Sequence, residues 1–587
     1  MFGNLEKSSR QGRRHIERLI ENRLFFHVKH QRYKKSTQGK PALISKRNKS
    51  IIFLYCFMRL LAVMAAAEAF ELPPVEPDAG RLSQMTHIFL KGVDLEGNTI
   101  FSDNALQPII APYLNRDVRI TELQELRNEL TRYYVVNGYI NSGAVIHDQE
   151  IRDGRLAIRI IEGKVVQTVI YGNARLRSHY IGSRIASAAG GKAPLNMHRL
   201  RERLKIVKQD RRIKNIHATI KPGLYPGEAV LELTVEEARP YEFGFRFSNH
   251  NAPSIGSFRK EVYLSHFNLT GWGDSVGLQY GMTGGLDDYD MIYSAPVTRW
   301  DTRLILGENR SIASVVLEPY DQLDIKSDTT THTAGIEQSL FRTSSKNMTL
   351  GVKLDKRKGH TRLLNESFTF TGGGESGRTK LSVLRCYQEW VDRSTGRVFA
   401  FRSTFSFGLG IMDATVTDEE PDAEFVSWKG QFQWLHRLRW LNSQILISYS
   451  QQWSHDPLLT NEAFAIGGSG TVRGYRENEL TTDNGVVASL EWRMQIFNLR
   501  VPYLSKKENH GGFQIAPFID FGKGWQTQDP DPKDNRLSSI GLASYWSVND
   551  QIRAELQWGY GIESIERSGE SDLQDDGIHF SIQASLF

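Results

Sequence analysis

The amino-acid sequence predicts a β-dominated protein: a 16-stranded antiparallel transmembrane β-barrel preceded by two β-α-α-β-β units. Three features predict this fold. From Tyr241 to Phe587 apolar residues alternate with polar ones at a period of two. Before that region, two stretches of roughly 75 residues repeat one order of strands and helices. The chain also begins with a basic and then apolar segment, which is typical of an exported protein.

The net charge separates the first residues from the rest of the chain. Residues 1–50 carry 14 Lys and Arg against three acids, a net charge of +11, while residues 51–69 are neutral. Because the whole chain has a net charge of +6, residues 70–587 have a net charge of −5. The basic pI therefore describes the leader, and no nucleic-acid partner is predicted for the mature protein.

Residues 1–69 are predicted to be a basic extension plus a signal peptide. The apolar run 51–67 has basic flanks and ends at Ala67–Glu68–Ala69, a small-x-small cleavage site, so cleavage is expected after Ala69. An uncleaved membrane anchor is the alternative, since the run approaches the length of a bilayer span. Arg59 in its middle disfavours an anchor, and it leaves Met58 open as the translation start.

A Pro-containing linker, residues 70–87, leads to the first unit, residues 88–163. Its long helix is expected to be capped by Thr121 with Gln124 at the reciprocal position, and to end at Asn137–Gly138. The expected buried stripe of that helix is Leu123, Leu126, Leu130 and Tyr133. The other predicted elements are strand Ile88–Val93, helix Asp103–Ala111, and strands Ala144–His147 and Leu156–Glu162.

The second unit, residues 164–238, repeats the same order. Asn196 is expected to cap its second helix, which turns Leu200, Leu204 and Val207 inward. The other predicted elements are strand Val165–Tyr171, helix Ser178–Ala188, and strands Ile216–Ile220 and Ala229–Val235. Only Cys386 remains after the leader, so no intramolecular disulfide is predicted.

Residues 239–587 are predicted to form the barrel. Alternating apolar and polar residues suit a wall between lipid and an aqueous lumen, although a soluble sandwich would alternate similarly. An even strand number puts both barrel ends on one side, and the odd-numbered connections, which would be external, are predicted to be the longer ones. Strands are expected to start near Tyr241, Arg259, Asp274, Asp288, Thr302, Thr331, Met348, Lys380, Arg397, Phe425, Gln444, Gly485, Phe513, Ser538, Gln551 and Ile578.

Two segments are the candidate site. One is the glycine-rich loop Gly467–Tyr475, which holds Arg473, and the other is the strand Pro517–Gly522, which holds Asp520. Alternation places Phe518 and Asp520 on the lumen side, with Gly522 on the same strand, and it makes Glu491 and Arg493 candidates for the lumen wall. An ordinary solvated arginine is the alternative for Arg473. No nucleotide, nucleophile or metal motif is complete, so no cofactor, no metal and no enzymatic activity are predicted.

In these motifs the chain resembles the two-partner-secretion outer-membrane transporters (TpsB family), which include haemolysin secretion/activation proteins and are related to BamA-type insertases. The resemblance rests on Val472–Arg473–Gly474–Tyr475, on Phe518–Ile519–Asp520, and on Asn268–Asp274 in the first barrel turn. It implies that the two N-terminal units are POTRA domains. It also implies that Val472, Gly474 and Tyr475 form the motif of a loop folded into the lumen, where Arg473 contacts Asp520.

The resemblance further implies a function. The POTRA domains would stand in the periplasm and capture an unfolded exoprotein that carries an N-terminal secretion domain. The barrel in the outer membrane would then export it, with lipids, the barrel-assembly machinery and periplasmic chaperones as partners in biogenesis. The linker departs from the family because it is short for an N-terminal plug helix. An insertase for other outer-membrane proteins and a passive porin remain as alternatives.

Overall fold

The protein is described by a computed structural model covering residues 86–149, 153–189, 193–370, 377–417, 421–528, 530–566 and 569–586. The predicted basic extension, the signal peptide and nearly all of the linker lie outside these residues, as does Phe587. The contacts divide the described chain into two units: an N-terminal unit, which ends at Glu162, and a larger unit, which comprises Gly138–Asn141 and the residues from Gly163 onward. None of the described helices is both long and apolar enough to cross a bilayer.

The N-terminal unit is an α/β unit with a small three-stranded sheet. In that sheet β5 lies between β2, which is parallel to it, and β4, which is antiparallel, while β1 and β3 form a separate antiparallel pair. The predicted single strand Ile88–Val93 is thus two strands. The elements are β1 His87–Leu90, β2 Gly92–Glu96, α1 Asp103–Ile110, a 3₁₀ turn Ala111–Tyr113, β3 Arg116–Arg119, α2 Ile120–Val136, β4 Gly143–Val145 and β5 Arg155–Ile161.

Two expectations for α2 are wrong in detail. The helix begins at Ile120, and the carboxylate of Glu122, not the Gln124 amide, accepts the backbone N–H of the N-cap residue Arg119 at 2.8 Å. Tyr134 is the fully buried aromatic, while Tyr133 is half-buried. Tyr134 continues the four-residue spacing from Leu130, so its ring faces the core.

The larger unit begins with a second β-α-α-β-β segment, as the sequence predicts. Its sheet order is β6-β8-β7, with β6 and β8 parallel. The Asn196 side chain caps α4 by accepting the backbone N–H groups of His198 and Arg199 at 3.0 and 3.2 Å. The elements are β6 Lys164–Tyr171, α3 Ser178–Ala189, α4 Met197–Lys208, β7 Ile213–Pro222 and β8 Glu228–Glu237.

The rest of the larger unit is a closed antiparallel barrel of 16 strands, which confirms the predicted fold. Its last strand pairs with its first through Ser581–Ser585 and Gly244–Ser248. The strands are β9 Tyr241–Ser248, β10 Arg259–His266, β11 Ser275–Met282, β12 Leu286–Pro296, β13 Arg303–Ser314, β14 Lys326–Arg342, β15 Lys346–Leu363, β17 Arg378–Ser394, β18 Arg397–Leu409, β19 Val426–Arg437, β20 Ser443–Ser454, β23 Asn484–Asn498, β24 Gly512–Trp525, β25 Arg536–Ser547, β26 Ile552–Gly561 and β27 Ile578–Ser585. The short strands β16 Glu366–Ser367, β21 Phe464–Ile466 and β22 Leu480–Thr482 lie in connections between them.

The predicted strand starts agree with the observed ones to within two residues, except at β14. That strand begins at Lys326, five residues before the predicted Thr331. The additional residues are polar on both faces of the strand, so they show no alternation that a sequence pattern could detect.

The two barrel ends differ in their connections. We call the end where β9 begins the near end and the opposite one the far end. Most far-end connections are long and most near-end connections are tight turns, as predicted. Two connections are exceptions: the far-end turn 283–285 is short, and the near-end connection 499–511 is long. The latter is stabilised by Ser505, whose hydroxyl accepts from Val501 N–H at 3.0 Å and donates to Val548 O at 2.7 Å.

Candidate functional site: a loop anchored in the barrel lumen

The far-end connection 455–483 enters the barrel. It carries the paired short strands β21 and β22, and the glycine-rich segment around Arg473 lies between them. Val472 and Tyr475 are buried, and the Arg473 side chain is only 5 % exposed although it belongs to a loop. Since its partners lie on the inward faces of β23 and β24, this connection occupies part of the lumen. We call it the lumen loop.

Arg473 is bound to the wall through Asp520. Its Nε donates to one carboxylate oxygen of Asp520 at 2.7 Å, and its Nη2 donates to the other at 2.8 Å. The backbone N–H of Arg473 donates to the same carboxylate at 3.1 Å. Asp520 is 1 % exposed, so this is a buried, bidentate ion pair, the geometry in which a guanidinium binds a carboxylate most strongly.

A second carboxylate completes the coordination of the guanidinium. Arg473 Nη1 contacts Glu491, and Nη2 also donates to Ser489 Oγ at 3.1 Å. Glu491 in turn contacts Arg493 and accepts the Tyr545 hydroxyl at 3.0 Å. The two carboxylates and Arg493 therefore leave this part of the wall with one net negative charge, which Arg473 neutralises.

An aromatic ring and small residues let the loop approach the wall closely. The Arg473 guanidinium carbon lies 3.4 Å from the centre of the Phe518 ring, within the range of a cation–π contact. A Cβ at wall residue Gly559 would lie 2.7 Å from the backbone N of Gly474, and one at Gly522 would lie 2.8 Å from a methyl of Val472. Gly474 has a φ of +91°, a backbone conformation that residues other than glycine rarely adopt.

The residues after Gly474 bind the far-end connection between β26 and β27. The Tyr475 hydroxyl oxygen lies 2.9 Å from the Glu563 carboxylate and 2.9 Å from Ser538 O on β25, and these two acceptors share its proton. Arg476 forms a bidentate pair with Asp575 at 2.6 and 2.7 Å. The motif segment is thus fixed on one side by the wall and on the other by a neighbouring connection.

The lumen loop has a second electrostatic anchor, of opposite sign. The Glu462 side chain is 5 % exposed and accepts from Arg385 Nη2 at 2.8 and 2.9 Å and from Arg357 Nη1 at 3.0 Å. Arg385 also binds Asp355 at 2.8 Å, so these two arginines and this aspartate, on β15 and β17, carry one net positive charge without the loop. In strand order it lies five strands from Arg473's partner Asp520.

One side chain joins the two ends of the lumen loop. The Gln452 amide, on β20, donates to Glu462 O at 3.0 Å and to Asp483 O at 3.1 Å. Asp483 accepts the backbone N–H groups of Leu458 and Thr527 at 2.8 and 3.0 Å. The stem of the loop is therefore held together independently of Arg473.

The second β-α-α-β-β segment is bound to the near-end turns of the barrel. Within the turn Asn268–Asp274, Asp274 accepts from the backbone N–H of Thr270 at 3.0 Å. Arg212 reaches this turn and donates to the carbonyls of Phe267, at 2.5 Å, and Gly273.

A buried carboxylate orients Arg212. Asp210 contacts Arg212 at 3.0 Å and accepts the Tyr180 hydroxyl at 2.6 Å. Burial disfavours the charged form of Asp210, but the charge of Arg212 and the hydrogen bond from Tyr180 outweigh it and lower its pKa to about 2.

The structure brings together the site residues predicted from the sequence. Arg473, Asp520 and Phe518 are in contact, Glu491 and Arg493 form the adjoining wall, and Val472, Gly474, Tyr475 and Gly522 pack around them. The sequence analysis missed Glu462, Arg385 and Arg357. Their only sequence signal is that Arg357 and Arg385 occupy inward positions of their strands. Among the described residues no three His, Cys, Asp or Glu side chains form a metal site.

The larger part of the chain matches a family model. Residues 227–544 match the haemolysin secretion/activation protein family ShlB/FhaC/HecB, and residues 88–163 match the POTRA domain, ShlB-type. The chain belongs to this family. It is therefore an outer-membrane transporter of the two-partner-secretion type, its near end faces the periplasm, and its far end faces the cell exterior.

Two curated outer-membrane transporters are similar in sequence to this chain. It is 24 % identical over 424 residues to the outer membrane transporter CdiB of Dickeya dadantii, covering 70 % of this chain and 73 % of that one. It is 21 % identical over 475 residues to the hemolysin transporter protein HpmB of Proteus mirabilis, covering 77 % and 80 %.

Solved structures share its fold. CdiB from Escherichia coli aligns with a TM-score of 0.63 at 19 % identity, covering 93 % of this chain and all of that one. BamA from Haemophilus ducreyi lacking POTRA domains 1–3 aligns with a TM-score of 0.51 at 13 % identity, covering 85 % of this chain and all of that one.

Proposed function

We propose that this transporter exports an unfolded exoprotein with an N-terminal secretion domain, and that Arg473 is the latch of its channel. The contact between Arg473 and Asp520 carries the proposal. A 16-stranded barrel is wide enough for an aqueous channel, and the lumen loop occupies that space in the structure. Polar contacts in the lumen can exchange partners with an arriving polypeptide, so the loop can be held at rest and displaced during transport.

The periplasmic segment offers a sheet edge to which an extended client can pair as an additional strand. β6 is an edge strand of its sheet, and it exposes Val166 and Tyr171. At the β7–β8 hairpin, Leu224 is 92 % and Tyr225 70 % exposed. Strand addition at such an edge gives backbone hydrogen bonds without strict sequence demands, which suits an unfolded client. We propose residues 88–163, 164–238 and 239–587 as the three domains that carry out this mechanism.

A truncation tests this division of labour. Deleting residues 85–238 behind the leader should leave a barrel that inserts and conducts, because the strand pairing of residues 241–587 closes on itself. Secretion of a co-expressed partner should be lost. Export at the normal rate by the truncated barrel would contradict the proposal and favour a porin.

A point variant gives a finer test with a matched control. Leu224→Ser/Tyr225→Ser removes the exposed apolar hairpin tip, while Tyr503→Ser/Leu504→Ser removes an exposed apolar pair from the near-end connection of the barrel. We expect only the first to weaken the binding of the client's N-terminal domain, which itself should be about micromolar because ordering an unfolded chain opposes binding. Equal losses in both variants would show that the hairpin tip has no special role.

Biogenesis adds further partners to the proposal. We expect the chain to reach the outer membrane with periplasmic chaperones and the barrel-assembly machinery, because its exposed apolar strands cannot remain in water unassisted. Family membership favours transport over the insertase alternative. An insertase would be indicated if deleting the gene lowered the levels of unrelated outer-membrane barrels.

A further inference from the structure

The outward face of the barrel carries like charges in direct register at its external end. On β15 and β17, Lys358 lies opposite Lys380, and Arg378 lies two residues before Lys380 on the same face of β17. Lys356, one step nearer the membrane centre, lies opposite Ser382. Like charges opposite each other in neighbouring strands destabilise a sheet, so a bound anion would stabilise this pair.

The alternation of β15 fixes the direction of these side chains. Asp355 and Arg357 belong to the inward-facing anchor of the lumen loop. Val352 is 47 % exposed on the other face. Because successive residues of a strand point to opposite faces, Lys356 and Lys358 share the outward face with Val352.

The basic residues also lie at the level of the lipid headgroups. Leu354 and Leu384 form the last apolar cross-strand pair on this face. From Leu354 to Lys358 the strand rises roughly 14 Å, which a strand tilt of about 40° reduces to about 10 Å along the membrane normal. A headgroup there can meet the cations while its acyl chains cover the apolar pair.

Among the described residues, the nearby carboxylates neutralise the patch only in part. Asp328 is paired with Arg310 at 3.0 Å, and Asp413 lies 3.9 Å from Lys380 with its side chain 76 % exposed. Within the described parts of the chain, no carboxylate lies within salt-bridge distance of Lys358 or Arg378.

We propose that this patch binds a phosphate-bearing glycolipid headgroup of the outer leaflet. The cross-strand register of these cations, the outward direction of their side chains and their height in the membrane together favour a lipid over a soluble anion. Two adjacent cations about 5 Å apart across the strands can share one phosphate group. The site lies outside the lumen and is independent of the route taken by the client.

The test is a lipid titration of the purified full-length protein, followed by native mass spectrometry. Bisphosphorylated lipid A should bind more tightly than phosphatidylethanolamine. Lys358→Gln/Lys380→Gln should weaken lipid A binding about thirtyfold, because each cation near a lipid surface contributes about 1 kcal/mol and 1.36 kcal/mol is tenfold. Lys358→Arg/Lys380→Arg should retain binding, and both double variants should insert and fold because positions 358 and 380 face outward.

The matched control removes two other outward lysines from the same barrel end. Lys260 lies between apolar partners on β9 and β11, and Lys523 lies opposite Arg536, which is already paired with Glu563 at 3.2 Å. Lys260→Gln/Lys523→Gln has the same net charge as the test variant and should bind lipid A normally. Equal losses in the two doubles, equal affinities for the two lipids, or equal binding of a phosphate-free lipid A would each overturn the proposal.

Discussion

Removing the Arg473 side chain should loosen the lumen loop without unfolding the barrel. In Arg473→Ala, Asp520 loses the one ion-pair partner that it has among the described residues, while Glu491 keeps Arg493. Removing one member of a buried ion pair costs about 3–5 kcal/mol because the other charge remains buried. Tyr475, Glu462 and the strand pairing are untouched, so the cost falls on the local opening of the loop.

The size of the effect follows from the contacts. A loss of about 3 kcal/mol corresponds to roughly a 150-fold drop in protection of the loop amides. Asp520→Asn should cost less, about 1.5–3 kcal/mol, because Glu491 still opposes the guanidinium charge. Arg473→Ala/Asp520→Asn should be milder than Arg473→Ala alone, because no unpaired carboxylate remains at position 520.

The assay is hydrogen exchange of residues 467–479 in the purified transporter, with channel conductance and partner secretion measured on the same variants. Variants with a looser lumen loop should open their channel more frequently and secrete less of the partner. Arg310→Ala, which removes a 50 % exposed arginine of the same barrel that pairs with Asp328, is the control and should leave all three readouts unchanged. A double variant whose loss equals the sum of the two single losses would refute the coupling of these residues.

Three further outcomes are expected. Asp210→Asn should lower the stability of its segment by about 2 kcal/mol at neutral pH, since the folded pKa lies below the unfolded one; hydrogen exchange should show this difference fading as the pH falls from about 4 to about 2. Gly559→Ala should displace the lumen loop, because the new methyl would meet the backbone of Gly474, whereas Gly307→Ala, with its nearest atom 3.5 Å away, should not; chemical cross-linking would compare them. N-terminal sequencing of protein from outer membranes should begin at Phe70, and an attached basic leader would contradict the predicted signal peptide.

The barrel fold could be predicted from the sequence because one physical constraint applies to every strand. Lipid on one face and water on the other force alternation, so the strands and the inward direction of Phe518 and Asp520 can be inferred without coordinates. Arg473 could be singled out because its loop is rich in glycine and ends in a recognisable motif. At β14 the constraint fails, since residues beyond the lipid are polar on both faces.

The second anchor could not be inferred in the same way. Glu462 and Arg385 are 77 residues apart, and nothing in either segment specifies which loop acid meets which wall arginine. That choice depends on the path of the loop through the lumen, which is set by Gln452 and the hairpin β21–β22. The predicted cap of α2 was wrong for a related reason. Two acceptors, Glu122 and Gln124, were available within one turn, and Glu122 is the one used because β3 ends at Arg119 and the helix begins directly after it.

The opposite signs of the two anchors give the lumen a transverse electric polarity. With the lumen loop displaced, Arg357, Arg385 and Asp355 leave one positive charge on one wall segment, and Asp520, Glu491 and Arg493 leave one negative charge five strands away. A polypeptide crossing there would find its acidic side chains drawn to one wall and its basic side chains to the other. The loop, with Glu462 and Arg473, is an internal mimic of such a chain, and any segment with similarly spaced opposite charges can take its place.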